Sequence, residues 1–412
     1  MRVRLLGAGS VLLAGALVAW AVTGPGPTDE SAAPAGSAPK STASATADGH
    51  STAHESAARV ASAPLRAGER FLKLSLPGGA YAPSAPGGGT DDYRCFLVDP
   101  HLAKDTFITG AEVIPGQPAI VHHAILFRVE PGEVAAAKAH DAVTPGRGWT
   151  CFGNSAVPDE GASAVNALDS APWLAAWAPG GGESVFARGT GIRVAAGSQI
   201  VLQVHYNLLA LDKATGPDDT QVRLRVAPGS APLQALHTML LAAPVELPCT
   251  PQESGPLCER ATALADLQSR FGLQAGTTVA GLQLLCGGSL VAPRAGPTQH
   301  CDRTATRRMV VRAVAGHMHL LGRSISVTLN PGAADRKTLL DRKVWDFDNQ
   351  RATALPRPVT VRPGDTLRVT CTHDAALRSQ LPSLAGRPAR YVMWGEGTSD
   401  EMCLGIVLYT RR

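Results

Sequence analysis

A chain of 412 residues with 38 Lys and Arg against 34 Asp and Glu carries a formal net charge of +4, and only 17% of its residues are charged. No Lys/Arg stripe interrupts that balance, which excludes the electrostatic footprint of a nucleic-acid-binding protein. The length exceeds what one core usually organises, and 43 Gly with 31 Pro suit many short strands joined by turns, so the composition predicts an all-β fold of sandwich or jelly-roll type in two domains.

The N-terminus reads MRVRLLGAGSVLLAGALVAWAV: two arginines, an uncharged apolar run, then Ala19-Trp20-Ala21 as a small-residue cleavage site. This is the pattern of a secretory signal peptide over 1–21. An uncleaved segment would instead tether the protein to a membrane, because Leu5 to Val22 is nearly long enough to span one. Residues 22–64 are mostly Ala, Ser, Thr, Pro and Gly, and cannot bury enough apolar surface to offset their ordering entropy; they read as a disordered tether. Eight cysteines behind a secretory signal predict disulfides and a secreted, extracytoplasmic location. Local pairing suggests Cys249–Cys258, Cys286–Cys301 and Cys371–Cys403, leaving Cys95 for Cys151, one connectivity among 105.

Over 65–228 strand-like runs alternate with turns: RFLKLSL, YRCFLVD, FITGAEVIP, AIVHHAILFRV, GTGIRVAAGSQIVLQVHYN and QVRLRV. After a linker-like APGSAP, residues 229–412 give a second series that includes LQALHTMLLA, TTVAGLQLLC, RMVVRAVAGHMHL, SISVTLN, KTLLDRKVWDF, PVTVRPGDTLRVTCTHD and MCLGIVLYT. ERATALADLQSRFGL is the one stretch with convincing helical spacing.

Each half carries its own histidine group. AIVHHAILF sets His122 beside His123, and neighbours on an ideal strand face opposite ways, so one ion can bind both only if the backbone twists or bulges there. IVLQVHYN supplies His205 from a strand that would lie alongside. Three neutral imidazoles without a carboxylate suit copper, with zinc second. In AGHMHLLG, His317 and His319 stand at i and i+2, on one face if the segment is a strand. GEGTSDEMC places Met402 next to Cys403, where a disulfide to Cys371 would hold its thioether toward that pair; a soft sulfur favours Cu(I).

HHAILF, LQVHYN, GHMHLLGR and TSDEMC stand in the order and approximate spacing of the copper type II, ascorbate-dependent monooxygenases, which include the peptidylglycine α-hydroxylating and dopamine β-monooxygenases, and residues 90–412 resemble that family. The resemblance implies two jelly-roll-like antiparallel β-sandwich domains, each with one copper, facing each other across a solvent-filled cleft. It implies that His122, His123 and His205 hold an electron-transfer copper and that His317, His319 and Met402 hold the copper that meets dioxygen. Gln203 falls where peptide-hydroxylating members also have Gln, and is expected to be a cofactor-binding residue. The implied reaction takes two single electrons from ascorbate or a similar reductant and inserts one oxygen atom into a C–H bond of a small-molecule or peptide substrate, the other leaving as water.

The chain also departs from the family. Ala315 stands where the peptide-amidating members hold a substrate carboxylate with Arg, the nearest basic residue being Arg312, and Ile406 replaces their Tyr. An anionic substrate group would be poorly held there, whereas a neutral or apolar one would not be penalised. A secreted copper-binding or delivery protein without hydroxylase activity would keep all six ligands and is the main alternative; a His₃ zinc hydrolase lacks a placed general base and leaves Met402 unexplained. His237 and His373 read as structural, and Trp173 and Trp177 as core or cleft wall.

Overall fold

The computed structural model describes residues 62–85, 90–157, 168–208 and 216–411. The signal segment, all but the last few residues of the tether and glycines 87–89 lie outside them. The alternating runs become strands almost one for one. β1 (Arg70–Ser75), β2 (Asp91–Val98), β3 (Thr106–Ile114) and β4 (Val121–Val129) precede a short helix, α1 (Val134–Asp141). Then come β5 (Trp149–Thr150), β6 (Trp173–Trp177), β7 (Ser184–Val185), β8 (Thr190–Val194), β9 (Gln199–Asn207) and β10 (Gln221–Pro228). The second half holds β11 (Gln234–Ala242), β12 (Glu246–Leu247), helices α2 (Arg260–Phe271) and α3 (Leu273–Leu285), and β13 (Thr298–Thr304). It continues with β14 (Met309–His317), β15 (Gly322–Leu329), β16 (Lys337–Arg342), β17 (Thr353–Val361), β18 (Thr366–His373), β19 (Val392–Met393) and β20 (Leu404–Arg411).

The all-β reading holds. A nine-stranded sheet runs β1-β10-β3-β8-β11-β20-β14-β17 with β7 on β3, beside a five-stranded sheet β5-β2-β9-β4-β6, a four-stranded sheet β13-β18-β15-β16 and the pair β12-β19. The long sheet crosses residue 228 without a gap: β8 and β11 pair in parallel through two rungs, Thr190 with Gln234 and Gly191 with Ala235. Period-2 alternation divides the five-stranded sheet between two cores. Phe96, Leu126, Leu202 and Val204 face the first half's core with Ile108 and Leu224. Tyr93, Cys95, Phe127 and Val201 face the opposite way, into a core shared with Val311, Val327 and Val407 of the second half.

All four expected disulfides are present, Cys95–Cys151, Cys249–Cys258, Cys286–Cys301 and Cys371–Cys403. Four such bonds with no free cysteine among the described residues fit an oxidising, extracellular setting. No described helix is long and apolar enough to cross a membrane.

Two local expectations are corrected. TTVAGLQLLC, read as a strand, lies in α3; Gly272, at φ +78°, ends α2, and Gly276, Val279, Leu282 and Gln283 repeat at helical spacing on the buried side. The strand through AGHMHLLG stops at His317, and Met318 to Leu321 turn away, so His317 and His319 approach through a turn.

Candidate metal centre

The side-by-side histidines meet because the strand bulges where the sequence requires it. β4 pairs with β9 with Val121 opposite Tyr206 and His123 opposite His205, and the register shifts between Val121 and His123. The extra residue, His122, swings its ring to the side of His123 and His205. The three Nδ1 atoms form a closed triangle of 3.1 Å (His122 to His123), 2.9 Å (His122 to His205) and 3.3 Å (His205 to His123). His205 donates its Nε2–H to Asp91 Oδ1 at 2.8 Å, which leaves a lone pair on its Nδ1. Burial, reinforced by the neighbouring imidazoles, holds His122 and His123 well below the ordinary histidine range, so both are neutral.

Neutral imidazoles converging lone-pair nitrogens on one point fit a metal ion, since an ion about 2.0–2.1 Å from each nitrogen sets them roughly 3.3–3.5 Å apart. Asp91 supplies the outer partner that such a site uses to fix ring tautomer and orientation. Burial would raise the Asp91 carboxyl, but His205 with the hydroxyls of Thr90 and Thr398 holds it well below the carboxylate range. Thr398 reaches it from the second half, its hydroxyl donating at 2.8 Å. The Tyr93 ring stacks on His205 with centroids 3.9 Å apart.

The second group is pinned just as closely. His317 donates from Nδ1 to Gln350 Oε1 at 2.6 Å and His319 from Nδ1 to the Asp400 carbonyl at 3.1 Å, so each keeps its Nε2 lone pair free. Burial first, then the His319 ring, lowers His317 to about 3. His319 Nε2 is buried with no hydrogen-bond partner. Glu401 clamps the turn: its Oε2 accepts from the His319 amide at 2.9 Å and its Oε1 from the Leu321 amide at 2.6 Å. His373 donates from Nε2 to the Met402 carbonyl at 3.2 Å and lies 3.3 Å from Glu401, so this histidine braces the Met402 segment.

The expected open cleft is absent between the two groups. His122 and His319 have ring centroids 5.9 Å apart, as do His123 and His317, and Phe347 packs on His122 at 5.0 Å. The shared core draws the halves together, and five imidazoles form one buried assembly. Met402 is 6% exposed in the same core, fixed at its backbone by Glu401 and His373. Gln203 is fully buried, but its amide lies 3.5 Å from Cys151 Sγ and 3.4 Å from the Asn154 carbonyl, and its Oε1 has no partner. Arg312 is committed to Gln234 and Thr410.

The histidine pair and Met402 both lie in a segment with a recognisable relative. Residues 275–412 match the family model described as "Copper type II ascorbate-dependent monooxygenase, C-terminal domain". The mouse protein "DBH-like monooxygenase protein 2" (Mus musculus) is 28% identical over 96 residues, 23% of this chain and 14% of that protein's length. This chain thus aligns with only a small part of that relative. Among solved structures, a fucolectin from striped bass (Morone saxatilis) serum covers 84% of this chain and 97% of its own at 7% identity and TM-score 0.16. Allantoicase covers 74% and 86% at 12% identity and TM-score 0.17. Likeness at these scores carries no argument about fold. His317, His319, Glu401 and Met402 all lie within the matched residues, with Met402 held at its backbone by Glu401 and His373. The first half's trio lies before the matched residues.

Sequence reasoning missed Asp91, Gln350, Glu401 and Phe347. The first three are acidic or amide side chains far in sequence from the histidines they hold by ring or backbone, and no local spacing marks them.

Proposed function

We propose that the protein is a secreted copper-dependent monooxygenase with two mononuclear sites, His122–His123–His205 and His317–His319–Met402. When bound, copper would supply the one-electron steps and dioxygen chemistry that hydroxylate a substrate C–H bond, with ascorbate or a similar reductant as co-substrate. The chain's own groups do the rest. Asp91 and Thr398 hold the His205 proton away from the triangle, Gln350 and the Asp400 carbonyl do the same for His317 and His319, and the apolar wall of Phe347 and Tyr93 keeps water from the rings. Ring centroids 5.9 Å apart across the two groups mean that ions held by them would be neighbours joined by packed imidazoles. Gln203, whose Oε1 is buried and unpartnered, is the candidate polar contact for a bound cofactor. Ala315 and Ile406 favour a neutral or apolar substrate group.

The observation that carries this reading is the Nδ1 triangle of three neutral imidazoles, beside a histidine pair in a segment of monooxygenase type. The test is copper stoichiometry after reconstitution and dialysis with zinc in competition, followed by ascorbate-driven oxygen uptake. Two coppers per chain with substrate-dependent uptake are expected. Two coppers without turnover would favour the copper-binding alternative, and zinc retained over copper would refute the reading.

A further inference from the structure

Helices α2 and α3, the insertion between β12 and β13, build a second feature. Phe271, Gln274, Ala275 and Thr278 meet Phe152, Trp394 and Glu396 around a cavity of about 30 Å³, room for a small polar head group. Phe152 and Phe271 meet edge to face at 5.2 Å, and Gln274 is exposed at the mouth. Gly153 leaves the wall open: a Cβ there would come within 2.8 Å of Glu396 Oε1.

Glu396 is the odd charge in this region. Arg270 binds Asp400 through two nitrogens at 2.7 and 2.8 Å and Asp266 at 2.9 Å, and Arg390 binds Asp266 at 2.8 Å. Two guanidiniums therefore answer the two Asp carboxylates. Among the described residues no hydrogen bond or ion pair reaches the Glu396 carboxylate; its backbone carbonyl accepts from the Tyr93 hydroxyl. Burial, helped by Asp400, pushes its carboxyl up to about 7, as expected of a half-buried acid that lacks a counter-charge. A carboxylate without a partner among aromatic walls attracts an organic cation twice, by charge and by the negative ring faces.

We infer that this cavity is a binding site for an alkylammonium group, with Glu396 as its counter-ion and Phe152, Phe271 and Trp394 as its walls. The site goes beyond the copper reading and needs no metal. One side chain, Tyr93, links it to the histidine trio: its ring lies on His205, its edge meets Phe152 at 5.6 Å, and its hydroxyl holds the backbone of Glu396. Tyr93 is thus the single ring between a cation bound there and the histidine trio.

The test titrates the intact protein, with and without copper, with n-propylammonium chloride at pH 8 and constant ionic strength, reading tryptophan fluorescence and calorimetric heat. 1-Propanol and propionate serve as neutral and anionic controls. Saturable binding of the ammonium alone, weakened at least tenfold in Glu396→Gln and unaffected by copper, is expected. Equal binding of 1-propanol, no binding of the ammonium, or full affinity in a Glu396→Gln protein would overturn the assignment. The control comparison on the unaltered protein stands even if the variant folds poorly. Because copper is not needed, failure here leaves the monooxygenase reading untouched, and failure of that reading leaves this site standing.

Discussion

Asp91→Asn tests whether the carboxylate behind His205 governs metal binding. Asn keeps the size of the side chain and removes the charge that collects the Nε2–H of His205 at 2.8 Å and the hydroxyls of Thr90 at 2.7 Å and Thr398 at 2.8 Å. A hydrogen bond to an ionised group contributes roughly 1.5–3 kcal/mol against about 0.5–1.5 for a neutral pair, so the His205 link alone weakens by about 1 kcal/mol. An amide NH₂ turned toward the ring would also demand the opposite tautomer, placing a proton on Nδ1 inside the triangle. Loss of such an outer partner lowers metal affinity roughly 10–100-fold, about 1.4–2.7 kcal/mol. The assay is competitive copper titration of the trio against a chelator, with thermal unfolding of the metal-free protein as the folding control. Thr398→Val, which removes one of the three side-chain donors and keeps the Thr398 amide at 3.3 Å, should shift affinity the same way by less than tenfold. Unchanged copper affinity in a folded Asp91→Asn protein would refute the reasoning.

Met402→Leu conserves volume in the core and should cost under about 1.5 kcal/mol of stability while abolishing substrate hydroxylation and leaving the His122–His123–His205 copper reducible by ascorbate; retained turnover would remove Met402 from the ligand set. Glu69 pairs with the fully buried Arg225 at 2.9 Å, and although burial raises its carboxyl, the Arg66 amide, Thr109 and Arg225 hold it below the usual 4.5. Its folded value is depressed, so its contribution is present above about pH 4.5 and is lost as pH falls through the folded value. Glu69→Gln should flatten that acid limb in chemical unfolding curves; because Arg225 keeps Glu183 at 3.0 Å, the loss at neutral pH belongs near the lower end of the roughly 3–5 kcal/mol typical of a broken buried pair.

What the sequence disclosed follows from how local each signal is. A His-His pair on an alternating strand can share a ligand only at a bulge, and the register shift between Val121 and His123 is that bulge. Cysteine order gave all four disulfides because three partners are close in sequence and the fourth pair follows by elimination. The second helix escaped because TTVAGLQLLC reads equally as a short apolar strand until the turn at Gly272 sets its direction. The groups that fix ring orientation escaped for a different reason. Asp91 and His205 are 114 residues apart, and His319 and the Glu401 that holds its amide are 82 apart, so only the packed sheets bring them together. Contact between the two histidine groups was hidden likewise, since it depends on a core shared by both halves.

The two-rung parallel join of β8 and β11 has a mechanical consequence. Most other strand contacts in the long sheet run over many rungs, so if the halves ever swing apart they pivot at Thr190–Gly191 and Gln234–Ala235. Around that spine, the Arg303–Asp169 pair at 2.6 Å and the Thr398–Asp91 bond at 2.8 Å act as latches between the covers. The second latch is also a support of the His205 proton. A pivot that parts the rings therefore loosens, in the same movement, the carboxylate that aims one of them.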